Sequence, residues 1–183
     1  TLRSGAAAGI TDSATVTVGG NLIATTDDND GVIDLGTLAV TGTITLTTDG
    51  TGAATIDNGT ANIDIAAASV GGNLTLRSGA AAGITDSGTV TVGGNLIATT
   101  DDNDGVIDLG TLAVDGSIAL VTHNNGAATV VNDAGLNFAA STVGGALSAT
   151  ATTGNITQSA ALAITGVTTI AADSGNNITL SNT

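Results

Sequence analysis

Hydrophobic and polar residues alternate along this chain in short runs with a period of two. Val16-Thr-Val18, Leu38-Ala-Val40, Ile33-Asp-Leu35 and Leu74-Thr-Leu76 show the pattern. Period-two alternation is the signature of strands buried on one side. The runs return in phase with a glycine-centred motif. Val18-Gly-Gly-Asn-Leu22 recurs at 70–74 and 92–96, and as Val143-Gly-Gly-Ala-Leu147, with weaker relatives at 40–44, 114–118 and 164–168. The glycine supplies a bend between two short strands. A third short strand follows, at Ile33-Asp-Leu35, Ile84-Thr-Asp86, Ile156-Thr-Gln158 or Ile178-Thr-Leu180.

A longer repeat contains the shorter one. Residues 1–40 recur at 75–114 with 39 of 40 positions identical, the exception being Ala14 against Gly88. Aligning the glycine motifs cuts the chain into a partial unit at 1–15 and units at 16–37, 38–67, 68–89, 90–111, 112–140, 141–161 and 162–183. The 74-residue repeat then reads as three units. Inward ladders are expected from Val18, Val40, Val70, Val92, Val114, Val143 and Ile164, and from Leu22, Ile44, Leu74, Leu96, Ile118 and Leu147.

One such unit cannot bury enough apolar surface to offset the entropy of ordering it, so the units must stack. The predicted fold is all-β, a right-handed parallel β-helix of about 7.7 coils, with three short strands per coil. Coil lengths run from 21 to 30 residues. The extra residues of 38–67 and 112–140, around Ile63-Asp-Ile65 and Leu136-Asn-Phe138, are expected to widen the coil on one side. The whole of 1–183 reads as one solenoid segment of a longer array, with any secretion signal outside it.

Composition narrows the function. Two basic residues face sixteen acids, all Asp, for a net charge of −14. Nucleic-acid binding is disfavoured, because phosphates need clustered Lys or Arg and bases need aromatic platforms. Cysteine is absent, which removes disulfides and thiolate metal sites, and Phe138 is the only aromatic residue. No apolar run approaches the length of a membrane-spanning helix. At 42% hydrophobic residues the chain is too apolar to be disordered.

Candidate chemistry is sparse. The loops Asp27-Asp-Asn-Asp-Gly31 and Asp101-Asp-Asn-Asp-Gly105 place Asp27, Asp28, Asp30, Asp101, Asp102 and Asp104 where oxygen ligands for Ca²⁺ could gather. Their spacing is neither that of an EF-hand nor that of a calcium β-roll. A solvated turn built from Asn and Asp is the competing reading. Three coils of separation, ~14 Å, keep the two loops from sharing an ion. No cofactor is required. His123 is a lone turn histidine beside the 101–104 loop, Arg3 and Arg77 neutralise nearby Asp, and Asp12 and Asp86 are expected to accept structural hydrogen bonds.

The units Thr-Val-Gly-Gly-Asn-Leu-Ile-Ala-Thr-Thr, Gly-Thr-Leu-Ala-Val-Thr-Gly-Thr-Ile-Thr-Leu and Thr-Gly-Asn-Ile-Thr-Gln-Ser-Ala resemble the β-strand-repeat regions of very large bacterial exoproteins, the filamentous-haemagglutinin-like adhesins. The resemblance implies a non-enzymatic stalk, filament or matrix component at the bacterial cell surface or outside the cell. Its expected partners are itself, by axial continuation or lateral fibre association, and a host-cell or neighbouring-cell surface or polysaccharide. A carbohydrate-binding module is a weaker alternative, since Phe138 would be its sole aromatic platform. A β-helix polysaccharide lyase would have to use Arg77, and an ice-binding face would need Thr at matched outward positions in every coil.

Overall fold

The computed structural model describes residues 1–181. It is all-β, with parallel strands stacked as a β-solenoid of about eight turns. The strands gather into two large sheets that the chain visits alternately, plus a short third ladder formed by Val16–Val18 and Leu38–Val40. The first sheet runs from Leu2–Ser4 through Leu22–Thr26, Ile44–Thr47 and Ile63–Val70 to Thr168–Ala172. The second runs from Ile10–Thr11 through Ile33–Leu35, Ala54–Asp57 and Leu74–Ser78 to Ile156–Gln158. Each coil is thus a flattened loop with two faces and two edges. It carries three strands in some coils and two in others.

The strand registers give every coil nearly the same length. Ala128 pairs with Leu147, nineteen residues on. Ile84 pairs with Ile107, twenty-three on, and the other partners fall between these limits. The thirty-residue units are therefore not widened coils. Ile63 lies in the ordinary ladder beneath Ile84, and Leu136 in the ladder beneath Ile156. The stretch 38–67 is about one and a half coils, because it carries an additional pass across the opposite face.

The 74-residue repeat consequently spans three and a half turns rather than three, and copies face opposite ways. Leu22–Thr26 lies in the first sheet and its copy Leu96–Thr100 in the second; Ile33–Leu35 lies in the second and its copy, within Ile107–Val114, in the first. The single Val ladder splits accordingly. Val18 stacks on Val40, Val70 on Val92 and Val114, and Val143 on Ile164. Val40 and Val70 do not meet.

All of these side chains still point inward. Val40, Val70, Val92, Val114 and Val143 are buried, as are Leu22, Ile44, Leu74, Leu96, Ile118 and Leu147, while Val18 and Ile164 are partly buried against the same core. Phe138 is the largest fully buried side chain, so the lone aromatic ring is a core filler stacked in register with Ile118.

Buried polar side chains occupy the columns wherever the valines stop. Thr26, Thr48, Thr100 and Thr122 each end an inward-facing strand run, and each hydroxyl donates to a glycine carbonyl four or five residues on, at 2.6–2.8 Å. The hydroxyl thus satisfies a turn carbonyl from inside, at Gly52 and Gly126 alongside a backbone N–H from the next coil. Thr100→Val keeps the shape and removes the Oγ1 bond to the Gly105 carbonyl. It is expected to cost about 1 kcal/mol in urea unfolding.

Asn58 and Asn132 do more. The Asn58 Oδ1 accepts the Val40 N–H at 2.8 Å, and its Nδ2 donates to the Val40 and Asn62 carbonyls at 3.0 and 2.7 Å. Asn132 repeats the arrangement with the Val114 N–H and the Val114 and Gly135 carbonyls. Each amide substitutes for a strand where the next coil supplies none.

Candidate functional site

The two acidic loops are the densest chemistry on the chain, and their backbone explains their composition. Asn29 and Asp30 adopt φ of 59° and 53°, and Asn103 and Asp104 adopt 52° and 53°. This left-handed region is one that Asn and Asp tolerate better than other side chains. The loops close the turn from one sheet to the other. Because the repeat is half a turn out of phase, Asp27–Gly31 leads from the first sheet to the second and Asp101–Gly105 from the second to the first. They lie on opposite edges, and not above one another on a shared edge.

Each loop is stitched to the coils on both sides. Arg3 Nε donates to Asp27 at 2.8 Å and Asn29 Nδ2 to the Gly5 carbonyl at 2.9 Å, both reaching back one coil. Asp28 Oδ1 accepts the Asn29 N–H at 2.8 Å, within the loop. Asp30 Oδ1 accepts the Thr51 N–H of the next coil at 2.6 Å. In the second loop Arg77 donates to Asp101, Asn103 to the Gly79 carbonyl, and Asp102 accepts the Asn103 N–H. Asp104 accepts the Asn125 N–H at a longer 3.4 Å. Among the described residues no group of three or more His, Cys, Asp or Glu is placed to hold a metal ion.

Arg77 lies between two carboxylates, Asp101 of the next coil and Asp57 of the preceding one at 3.6 Å. The hydrogen bond donated to Asp101, then the charge of Asp101, then that of Asp57 raise the guanidinium's pKa above its ordinary value. His123 occupies the turn above, with Nδ1 3.7 Å from Asp104 Oδ1, and that nitrogen is buried without a hydrogen-bond partner.

Asp12 and Asp86 form a second kind of clasp. The Asp12 carboxylate accepts the Gly36 N–H at 3.2 Å and both the N–H and the hydroxyl of Thr37 at 2.8 Å, one coil on. Asp86 does the same with Gly110 and Thr111. Desolvation works to raise the Asp12 pKa, but the hydrogen bonds from the Thr37 hydroxyl and from the Thr37 and Gly36 amides outweigh it and hold the carboxyl below its usual value. A carboxyl with a lowered folded-state pKa adds stability above its unfolded pKa of about 3.9, and the gain is lost as pH falls through the folded value. The stability gap between the protein and its Asp12→Asn variant is therefore expected to shrink as pH drops below about 4. Denaturation curves across that range would show it.

Sequence reasoning located these acids but missed the Thr and Asn side chains that seal the turns from within. Their signal was present: each Thr closes an inward run directly before a turn, and each Asn stands where an inward aliphatic residue is due.

An unbroken parallel ladder with clasped turns defines a β-solenoid repeat protein. The chain belongs to the family described as repeats of unknown function (DUF5649), whose pattern it matches twice, at 51–109 and at 125–183. The two matches begin one 74-residue repeat apart, so they face opposite sides of the solenoid. No curated protein and no solved structure matches the chain.

Proposed function

We propose that this chain is a non-enzymatic structural segment of an extracellular or cell-surface fibre or adhesin, serving as a rigid stalk, filament or matrix component. One observation carries the reading: hydrogen-bonded ladders run from the first coil to the last, so the same geometry extends by adding coils along one axis. Rigidity follows, since each coil is propped by its neighbours and bends only by breaking ladder bonds. The acids fit this role as coil-to-coil clasps, and the net charge of −14 keeps parallel fibres apart unless cations bridge them. Placement outside the cell rests on the resemblance to exoprotein repeat regions. The clasped Arg77 cation supports a non-enzymatic role, because a guanidinium between two carboxylates is a poor base.

Immunogold electron microscopy of the source cells tests the reading. Label along surface fibres is expected; label confined to the cell interior would overturn it. With the loop carboxylates already engaged by Arg and backbone N–H groups, calorimetric titration with millimolar calcium is expected to give no heat beyond dilution.

A further inference from the structure

Glycine corners climb one edge of the solenoid, where the chain passes from the first sheet to the second. Gly72 donates its N–H to the Gly52 carbonyl at 2.9 Å, Gly94 to Gly72 at 3.0 Å and Gly116 to Gly94 at 3.1 Å. The series stops there. The next turn on that edge spans 133–135, and its Asp133 N–H goes to the Leu112 carbonyl instead. A second series climbs the opposite edge, from Gly126 to Gly145 and Gly166. Where the first series ends, the turns no longer close on one another, and a groove of about 300 Å³ opens between them.

Four polar side chains from three successive coils line this groove: Asp115, Asn137, Asn155 and Thr157. Beneath them lie Val114 and Leu136, both buried. Much of the hydrogen-bonding capacity is unspent. Among the described residues the Asp115 carboxylate has neither an ion pair nor a hydrogen bond. Asn137 Oδ1 accepts the Thr157 hydroxyl at 3.4 Å, and Asn155 Oδ1 accepts the Asn177 N–H at 2.8 Å. Both Nδ2 groups are without a partner among the described residues. In the acidic loops, by contrast, arginine and backbone N–H groups take the carboxylates.

We propose that this groove binds one unit of a neutral saccharide. The Asp115 carboxylate accepts charge-assisted bonds from neighbouring hydroxyls of the sugar, and the Asn137 and Asn155 Nδ2 groups donate to its hydroxyl or ring oxygens. Val114 and Leu136 underlie its C–H face. The volume stands at the lower end for small-molecule sites and suits a single hexose. Charge sets the class. No basic side chain lines the groove, and a chain of net charge −14 repels an acidic sugar. A calcium ion fits less well, because it needs six to eight oxygens and the groove offers one carboxylate beside amide oxygens that already accept bonds. Phe138 is buried, so the site works without the aromatic platform expected from the sequence, and its affinity is in the millimolar range. The proposal adds a ligand to the structural role and does not rest on it: the purified chain reports binding wherever the protein resides, and failure to bind leaves the fibre reading to microscopy.

Nuclear magnetic resonance titration of the isotope-labelled chain tests the groove, with D-mannose, D-galactose and N-acetyl-D-glucosamine as separate probes. Saturable shifts are expected with at least one of them at the amides of 115–117, 135–137 and 155–157, while those of 54–57 and 74–78 stay in place and monitor the fold. Asp115→Asn and Asn137→Ala should each weaken that binding by about fivefold or more. Both side chains reach into the groove from the turn and outer face, so neither substitution disturbs the inward columns. No saturable shift with any of the three sugars, or shifts retained undiminished in both variants, overturns the site. D-galacturonate binding as tightly as D-galactose overturns the preference for a neutral ligand. Shifts at the same amides with calcium and with none of the sugars would make the groove a cation site and overturn the assignment.

Discussion

Replacing Asn132 by alanine is expected to remove about 3–5 kcal/mol of stability, among the largest effects of any single substitution in this chain. The side chain is fully buried, and its amide is the hydrogen-bond partner of the Val114 N–H, the Val114 carbonyl and the Gly135 carbonyl. Alanine leaves these three backbone groups without the partner the amide supplied, and each unsatisfied group costs about 1–3 kcal/mol. Asn132→Asp separates the two halves of the role. It keeps the acceptor for Val114 N–H but turns a second oxygen towards two carbonyls. Its deficit should therefore ease at low pH, where a protonated acid donates one bond again. Asn58→Ala should behave alike, since Asn58 makes the same three bonds. Urea denaturation of the four proteins checks the series, and an Asn132→Ala loss below about 1 kcal/mol would sink this account of the buried amide.

Gly72→Ala is expected to cost about 2–3 kcal/mol, whereas Gly36→Ala, at the bend between Ile33–Leu35 and Leu38–Val40, should be neutral within about 0.5 kcal/mol. A Cβ at Gly72 would lie 2.4 Å from the Thr51 carbonyl oxygen and 3.0 Å from the Ala53 nitrogen, with a coil packed on either side. Backbone atoms cannot rotate away as a side chain would, so the coils must separate and strain the Gly72 N–H bond to the Gly52 carbonyl. At Gly36 the added methyl meets nothing within 4 Å. Thermal melts of the two variants make the comparison. Equal losses would mean that glycine is needed at these corners for the bend rather than for the close approach of coils.

The glycine motif shows how far the sequence is informative. Val18-Gly-Gly-Asn-Leu22 and Val70-Gly-Gly-Asn-Leu74 are identical. Local pattern therefore assigns them the same strands, the same bend and the same inward side chains, and it does so correctly. It cannot say what lies above or below either copy. The candidate loops divide in the same way. Runs of Asp and Asn before a glycine announce turns in the left-handed region, and the structure has them. Which carboxylate meets Arg3, Thr51 or Asn125 depends on coils more than twenty residues away.

Alternation of apolar and polar residues determined the strands, the inward set and the stacking, because period two is a property of consecutive residues and survives any arrangement of coils. Coil length was decided only in three dimensions. The two faces of a flattened coil share the same period and much the same composition, so a pass across one face reads like a pass across the other. Only the hydrogen-bond register between coils reveals that 74 residues end half a turn away from where they began, and that near-identical segments look out from opposite sides of the molecule.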